Sequence, residues 1–334
     1  MEKVQTVEKD KIEGMFLGVI IGDCLGMPVE TWNAEKIAEK YGRVTDYQVP
    51  DGHKWFNGHL AGTYTDDTQL TLAVAEALIE NPLCMDSQTK HHINAFKETT
   101  AGWGNTTRDS VRRLANGANW NVSGNDAGVG NGVAMKIAPM GAYLLSVHES
   151  TNADKTAMAE AIDFVTKINL MTHRSSVSAS ASLAHAFGIY YCLSVKPADF
   201  DIDKFKNMIL KSSKIGRQMF VETLNDDITS RFESLFENQY DAQKLIEEFG
   251  GGSCYCYNSV PFTYGFFLQN PHSVESLYDV INAGGDTDSN GSMLGALLGA
   301  LHGTSIFPQH LIDGLVEREK VLEVAQRFAE KFAD

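Results

Sequence analysis

The chain has 334 residues, 43% of them hydrophobic, 21% charged and only 8 prolines, a composition that excludes a disordered chain, a collagen and a proline-rich scaffold. Lysine and arginine total 28 against 43 acidic residues, a net charge of −15. That balance argues against partners with a polyanionic face, nucleic acid or anionic membrane, because both demand a positive field; it is compatible with a divalent cation wherever carboxylates converge.

In chain order, the first apolar run, 15–21, is interrupted by Gly18 and ended by Asp23, well short of the ~20 residues of a membrane span. Gly14, Gly18, Gly22 and Gly26 recur every fourth residue through it. The best strand candidate, 42–49 (GRVTDYQV), is short, and 42–64 is expected to be irregular. From Gln69 the positions Leu70, Ala73, Val74, Ala77 and Leu78 follow a helical period until Asn81-Pro82. A second irregular stretch is expected at 100–132. Helical patterns then cover 155–170, 176–194, 203–221, 241–249 and 308–332.

A second glycine series, Gly291, Gly295, Gly299 and Gly303, mirrors the first. Each helical glycine costs about 0.8–1 kcal/mol against alanine, so four on one helical face need a reason. Close backbone approach between two core helices is the natural one; coincidence in a chain with 29 glycines is the alternative. The expectation is an all-α protein forming a single domain over 1–334. The five cysteines, Cys24, Cys84, Cys192, Cys254 and Cys256, lack paired CxxC spacing. They suggest a reduced, cytoplasmic protein rather than a zinc ribbon or disulfide framework.

Three acidic groups carry the chemistry. Thr65-Asp66-Asp67-Thr68 stands directly before a helix. One cap residue would suffice there, whereas two adjacent carboxylates between threonines suit a hard cation equally well. Gly284-Gly285-Asp286-Thr287-Asp288-Ser289-Asn290-Gly291 imitates the opening of an EF-hand loop but has Leu297 where the bidentate Glu belongs. It is instead a glycine-hinged turn presenting Asp286, Asp288 and the Ser289 hydroxyl. The third group is Asp23 and Glu30, in Gly22-Asp23-Cys24-Leu25-Gly26-Met27-Pro28-Val29-Glu30. Asp23 is either a structural partner for a backbone donor or part of a site, since burying it unpaired is costly. Glu30, released by the Pro28 turn, is the better chemical candidate.

These motifs, with Gly130-Asn131-Gly132-Val133-Ala134-Met135-Lys136 and Met171-Thr172-His173, resemble the ADP-ribosylglycohydrolases, in the family's order from about Gly14 to Gly303. The resemblance implies an orthogonal multi-helix bundle around a central cleft with a binuclear Mg²⁺ (or Mn²⁺) centre. It implies metal ligation by Thr65, Asp66, Asp67, Asp286, Asp288 and Ser289, and general acid or base work by Asp66, Asp67 or Glu30. Asp23, Gly128, Gly130, Asn131, Gly132 and His173 would face the substrate. Ser289 stands where many members have threonine. Lys136 stands where arginine is more usual, which loses bidentate phosphate recognition. The Gly128–Gly132 loop would form an anion nest of successive N–H groups; Trp103 and Trp120 are candidates to hold the adenosine. The implied function is metal-dependent removal of ADP-ribose from a modified protein, with arginine the favoured acceptor. A serine-linked substrate, a free ADP-ribose derivative and a non-catalytic ADP-ribose-binding protein are the alternatives.

Overall fold

The computed structural model describes residues 8–152, 154–219, 226–250 and 252–333. Helices α1 (Lys9–Gly26), α2 (Ala34–Tyr41), α3 (Asp66–Glu80), α4 (Met85–Glu98), α5 (Asn105–Ala115) and α6 (Trp120–Ser123) form the first third. They are followed by α7 (Ala138–Ser150), α8 (Lys155–Thr172), α9 (Ser176–Ser194), α10 (Ile202–Gln218), α11 (Ile228–Glu237) and α12 (Ala242–Phe249). The last are α13 (Cys256–Gln269), α14 (Glu275–Asn282), α15 (Thr287–His302), α16 (Gln309–Asp313) and α17 (Arg318–Phe332). The fold is all-α: among the described residues the only β pairings are isolated bridges.

The centre of the molecule is the pairing of α1 with α15. Gly18 faces Gly295, Gly22 faces Gly291 and Gly26 faces Thr287, so the helices run antiparallel with backbone against backbone. A Cβ added at Gly14, Gly18, Gly22, Gly291, Gly295 or Gly299 would lie within 3.0 Å of the opposing main chain. The two glycine series are one interface, and its contact replaces the side-chain burial that glycine gives up. The same device recurs where Gly216 of α10 meets Ala179 and Ser180 of α9, and where Gly141 of α7 meets Ala186 and Ile189 of α9.

Helix α1 departs from the sequence expectation. With the turn that follows it, Lys9–Val29 is long and apolar enough to cross a membrane, but 94% of its most apolar 18-residue stretch is buried inside the protein. A helix apolar on all sides belongs to a core when other helices surround it. Even its Lys11 is only 4% exposed. The Lys11 ammonium donates to the carbonyls of Cys192 (3.3 Å), Leu193 (3.4 Å) and Val195, capping the C-terminus of α9.

Other expectations need correction. No strand forms at 42–49; Val44 is pinned instead by the Asn282 side chain, which accepts from its N–H at 2.8 Å and donates to its carbonyl at 2.9 Å. A side-chain amide has taken the place of a neighbouring strand. The stretch 100–132 holds α5 and α6 rather than being irregular throughout. The pattern over 308–332 is split into α16 and α17, because Gly62 abuts the Gly314 backbone and Val316 N–H donates to the Gly62 carbonyl at 3.1 Å. That break seats the chain just ahead of Thr65. Helix α10 ends at Gln218, and the expected continuation to residue 221 lies partly outside the described residues.

In an ordinary helix Gly→Ala stabilises by about 1 kcal/mol. Here the sign is expected to reverse: Gly18→Ala and Gly295→Ala each destabilise by about 1–3 kcal/mol or more, the range for overpacked cores. Urea unfolding of each variant checks this, and an unchanged or raised midpoint would contradict backbone contact at the pairing.

Candidate active site

The α1–α15 pairing brings the C-terminal end of α1 beside the N-terminal turn of α15, and α3 enters the same corner. Asp23, one residue past Gly22, is 0% exposed. Its carboxylate accepts from Thr65 N–H (3.0 Å), Thr68 N–H (3.0 Å) and the Thr68 hydroxyl (2.6 Å). It therefore binds the orphan N–H groups at the start of α3 and lies beneath the cleft rather than on its wall, in the structural role of the two proposed for it. Burial raises Asp23 to about 6, against the lowering effect of those hydrogen bonds.

Held this way, α3 presents Thr65, Asp66 and Asp67 from its first turn. The Thr65 hydroxyl accepts from Asp67 N–H at 3.3 Å and donates to Asp67 Oδ2 at 3.3 Å. From α15, the Ser289 hydroxyl donates to the same Oδ2 at 3.2 Å. Two turns 222 residues apart in sequence thus meet on one carboxylate oxygen. The other, Asp67 Oδ1, is buried without a hydrogen-bond partner.

Glu30 arrives from a separate turn. Thr31 beside it has φ 68°, a left-handed conformation that is an outlier for a β-branched residue. The turn is stitched to the α15 hinge by Thr31 N–H to Gly285 O and Gly285 N–H to Trp32 O, both 2.8 Å. At that hinge Gly284 and Gly285 have φ of 80° and 91°; a side chain on Gly284 would strike the Trp32 carbonyl. As a result, carboxylate oxygens of Glu30, Asp286 and Asp288 lie within 4.8 Å of one another, a group able to hold a metal ion. Asn131 Nδ2 donates to Asp286 Oδ2 at 2.6 Å.

These residues line a cleft of about 260 Å³ that includes Glu30, Asp66, Asp67, Asp286, Asp288 and Ser289. Gly130, Asn131, Gly132 and His173 form another part of its wall, whereas Thr65, Asp23 and Gly128 do not line it. Gly128 is a supporting position: a Cβ there would lie 2.9 Å from the Asn125 carbonyl oxygen and 3.0 Å from the His173 Cα. The anion nest does not form. Residues 128–132 contain no left-handed residue, and the N–H groups of Gly128 and Asn131 are spent on Asn125 O and Cys254 O, each at 2.9 Å. Gly132 is small because a Cβ there would lie 3.0 Å from the His173 ring.

Neither tryptophan lines the cleft. Trp103 is buried with its indole N–H on Gln69 Oε1 at 2.8 Å, and Trp120 packs on the hydrophobic core. The wall that sequence reasoning missed is Gly102, Gly104, Asn105, Thr106 and Thr107, with Met135 and Cys254. The left-handed Gly102 (φ 82°) was its one visible trace, as a Gly-Trp-Gly turn.

Burial dominates the electrostatics. It raises Asp66 to about 8, helped by Asp23, and raises Asp286 to about 6, helped by Glu30; it also pushes Asp67 and Asp288 well above the usual carboxylate range. Burial also lowers Lys136 to about 7 and, with Lys136, lowers His173 to about 3, so His173 is neutral at physiological pH. Lys136 is fully buried with no hydrogen-bond partner for its Nζ; it lies within electrostatic reach of Asp66 and does not line the cleft. Crowded carboxylates whose charge the protein leaves uncompensated, hard oxygen donors only, and one orphaned buried oxygen fit a hard divalent cation.

The family model for ADP-ribosylglycohydrolase matches residues 4–334. The ADP-ribosyl-[dinitrogen reductase] glycohydrolase of Rhodospirillum rubrum is 24% identical over 93% of this chain and 92% of its own. The ADP-ribosylarginine hydrolase Tri1 of Serratia proteamaculans is 23% identical over 95% and 78%. A solved structure titled ADP-ribosylglycohydrolase-related protein complex superposes with TM-score 0.67 at 21% identity, covering 96% of this chain and 98% of that one, and shares the fold. The chain belongs to the ADP-ribosylglycohydrolase family, enzymes that hydrolyse ADP-ribosyl linkages.

Because folded Asp66 titrates near 8 rather than 3.8, the metal-free folded state binds more protons than the unfolded one between those values. Stability must then fall as pH rises through that window. Asp66→Asn should flatten this slope and, without divalent ions, exceed the wild type at pH 8 by about 1 kcal/mol or more. Melting curves between pH 4.5 and 8.5 test it; parallel curves for the two proteins would contradict the buried-charge account.

Proposed function

We propose that this enzyme cleaves the bond between ADP-ribose and a protein arginine side chain, using two Mg²⁺ ions held by Thr65, Asp66, Asp67, Asp286, Asp288 and Ser289, with Mn²⁺ as a substitute. The observation that carries the reading is the convergence of Glu30, the α3 turn and the α15 turn on one cleft. The ions, when bound, supply positive charge that grips ribose hydroxyls and makes a bound water more acidic.

The remaining work falls to the chain. Glu30 comes from outside both ligand turns and is half-buried at the cleft, the position expected of a carboxylate that exchanges protons with a reacting group. Asp66 and Asp67, more deeply set, have alternative claims to that role. His173, neutral and packed on Gly132, forms an uncharged wall beside Asn131. Glu30, the cleft carboxylate not assigned to metal, favours a cationic acceptor such as guanidinium over a neutral serine hydroxyl. The relative named for hydrolysis of ADP-ribosylarginine supports the same choice.

Release of ADP-ribose should be measured from arginine-linked and serine-linked protein substrates. The expected outcome is release from the arginine substrate with Mg²⁺, loss of it in chelator and recovery on adding Mg²⁺ back. Asp67→Asn and Asp288→Asn should each lose more than about 100-fold in rate while keeping the fold, since even outer-shell partners of metal sites cost 10–100-fold. Undiminished turnover in chelator would refute the metal assignment, and release from serine alone would refute the acceptor.

A further inference from the structure

We infer that His53 is a positioning residue that sets the orientation of the Glu30 carboxylate, an inference that rests on the reading of Glu30 given above. The residues around it, Asp51, Gly52, Lys54 and Trp55, are exposed, yet the His53 side chain turns inward and retains only 10% exposure. Its ring is fixed from its own loop. Trp55 N–H and Phe56 N–H both donate to Nδ1, at 3.3 and 3.2 Å. The backbone around it is closed by His53 N–H to Pro50 O at 3.1 Å and Asn57 N–H to His53 O at 3.2 Å.

That pattern decides the tautomer. A nitrogen accepting two N–H groups carries no proton, so the ring proton is on Nε2. Nε2 stands 3.2 Å from Glu30 Oε2 and donates to it. The arrangement repeats the logic by which an imidazole and a carboxylate orient each other beside a reacting centre. It also excludes a relay: with Nδ1 committed to the loop backbone, the ring has no second nitrogen through which to pass a proton onward. His53 does not line the cleft, so it acts through Glu30 alone.

The loop is tied to the opposite wall as well. Phe56, whose N–H helps fix the imidazole, has its ring 5.3 Å from that of His53, and it packs where a Cβ on Gly102 would meet it at 3.2 Å. The otherwise irregular segment 42–64 thus has a local order centred on one imidazole, and the product of that order is a held carboxylate.

Two substitutions separate the functions of the ring. His53→Asn keeps an acceptor near Nδ1 for the loop but cannot reach Glu30; His53→Gln places an amide donor near Nε2. The expected result is a kcat about 10–100-fold lower for His53→Asn, with KM changed less than about threefold, unchanged melting temperature, and recovery of most of the loss in His53→Gln. In ¹⁵N-histidine spectra of the full chain, His53 should be the Nε2–H tautomer, and its Nε2 resonance should move in Glu30→Gln. Wild-type kcat in a folded His53→Asn protein, or equal loss in both variants, would overturn the positioning role. If the wild-type chain releases no ADP-ribose, the functional reading falls on its own. An Nδ1–H tautomer, or a resonance indifferent to Glu30→Gln, would still overturn the His53–Glu30 pairing.

Discussion

The active-site geometry depends on backbone contact between two helices. Side chains of any size along the Gly14–Gly26 and Gly291–Gly303 faces would separate α1 from α15. The end of α1 would then no longer meet the start of α15. Asp23 follows one of those glycines and the hinge Gly284-Gly285 precedes the other series, so the close approach fixes the distance between the structural carboxylate and the two acidic turns. The usual penalty of helical glycine is accepted for interaxial proximity.

From that corner the site is assembled by donors and acceptors at chain ends. Asp23 receives the first N–H groups of α3, which leaves Asp66 and Asp67 free to face the cleft. Asp66, Asp67 and Asp288 all sit in the first turns of helices, where the macrodipole favours negative charge. That favour is insufficient against burial, as the raised protonation ranges of Asp66 and Asp286 show. A protein that gathers buried carboxylates and pairs them chiefly with hydroxyls and an asparagine amide is built to receive positive charge from outside itself. Family membership and this imbalance point to the same class of chemistry.

Much of this was legible in the sequence, for identifiable reasons. Helical period marked 176–194 to the residue because α9 is bounded by a Ser175 cap whose side chain accepts from Ser178 N–H and by the Val195-Lys196-Pro197 extension. The glycine series could be read as an interface because a cost of that size needs a compensating contact. The acidic turns stood out because one cap needs one side chain. The limits were equally physical. The irregular parts of 42–64 and 100–132 are organised by distant partners: Asn282 for Val44, Leu311 for Tyr47, Gln69 for Trp103. No local periodicity encodes these. Trp103 and Trp120 were attractive as aromatic faces, but large apolar rings are more often used for packing: Trp103 is buried in the core and Trp120 packs half-buried against it. Gly128 to Gly132 suggested a nest by composition, whereas their φ values and spent N–H groups make them spacers beside His173. His53 carried no motif at all.

The most direct test of the account is anomalous diffraction from crystals soaked in Mn²⁺, recorded at the manganese edge. The account predicts two peaks in the cleft, between the turn carrying Asp66 and Asp67 and the turn carrying Asp286, Asp288 and Ser289. A map with no manganese there, at concentrations that support turnover, would contradict it.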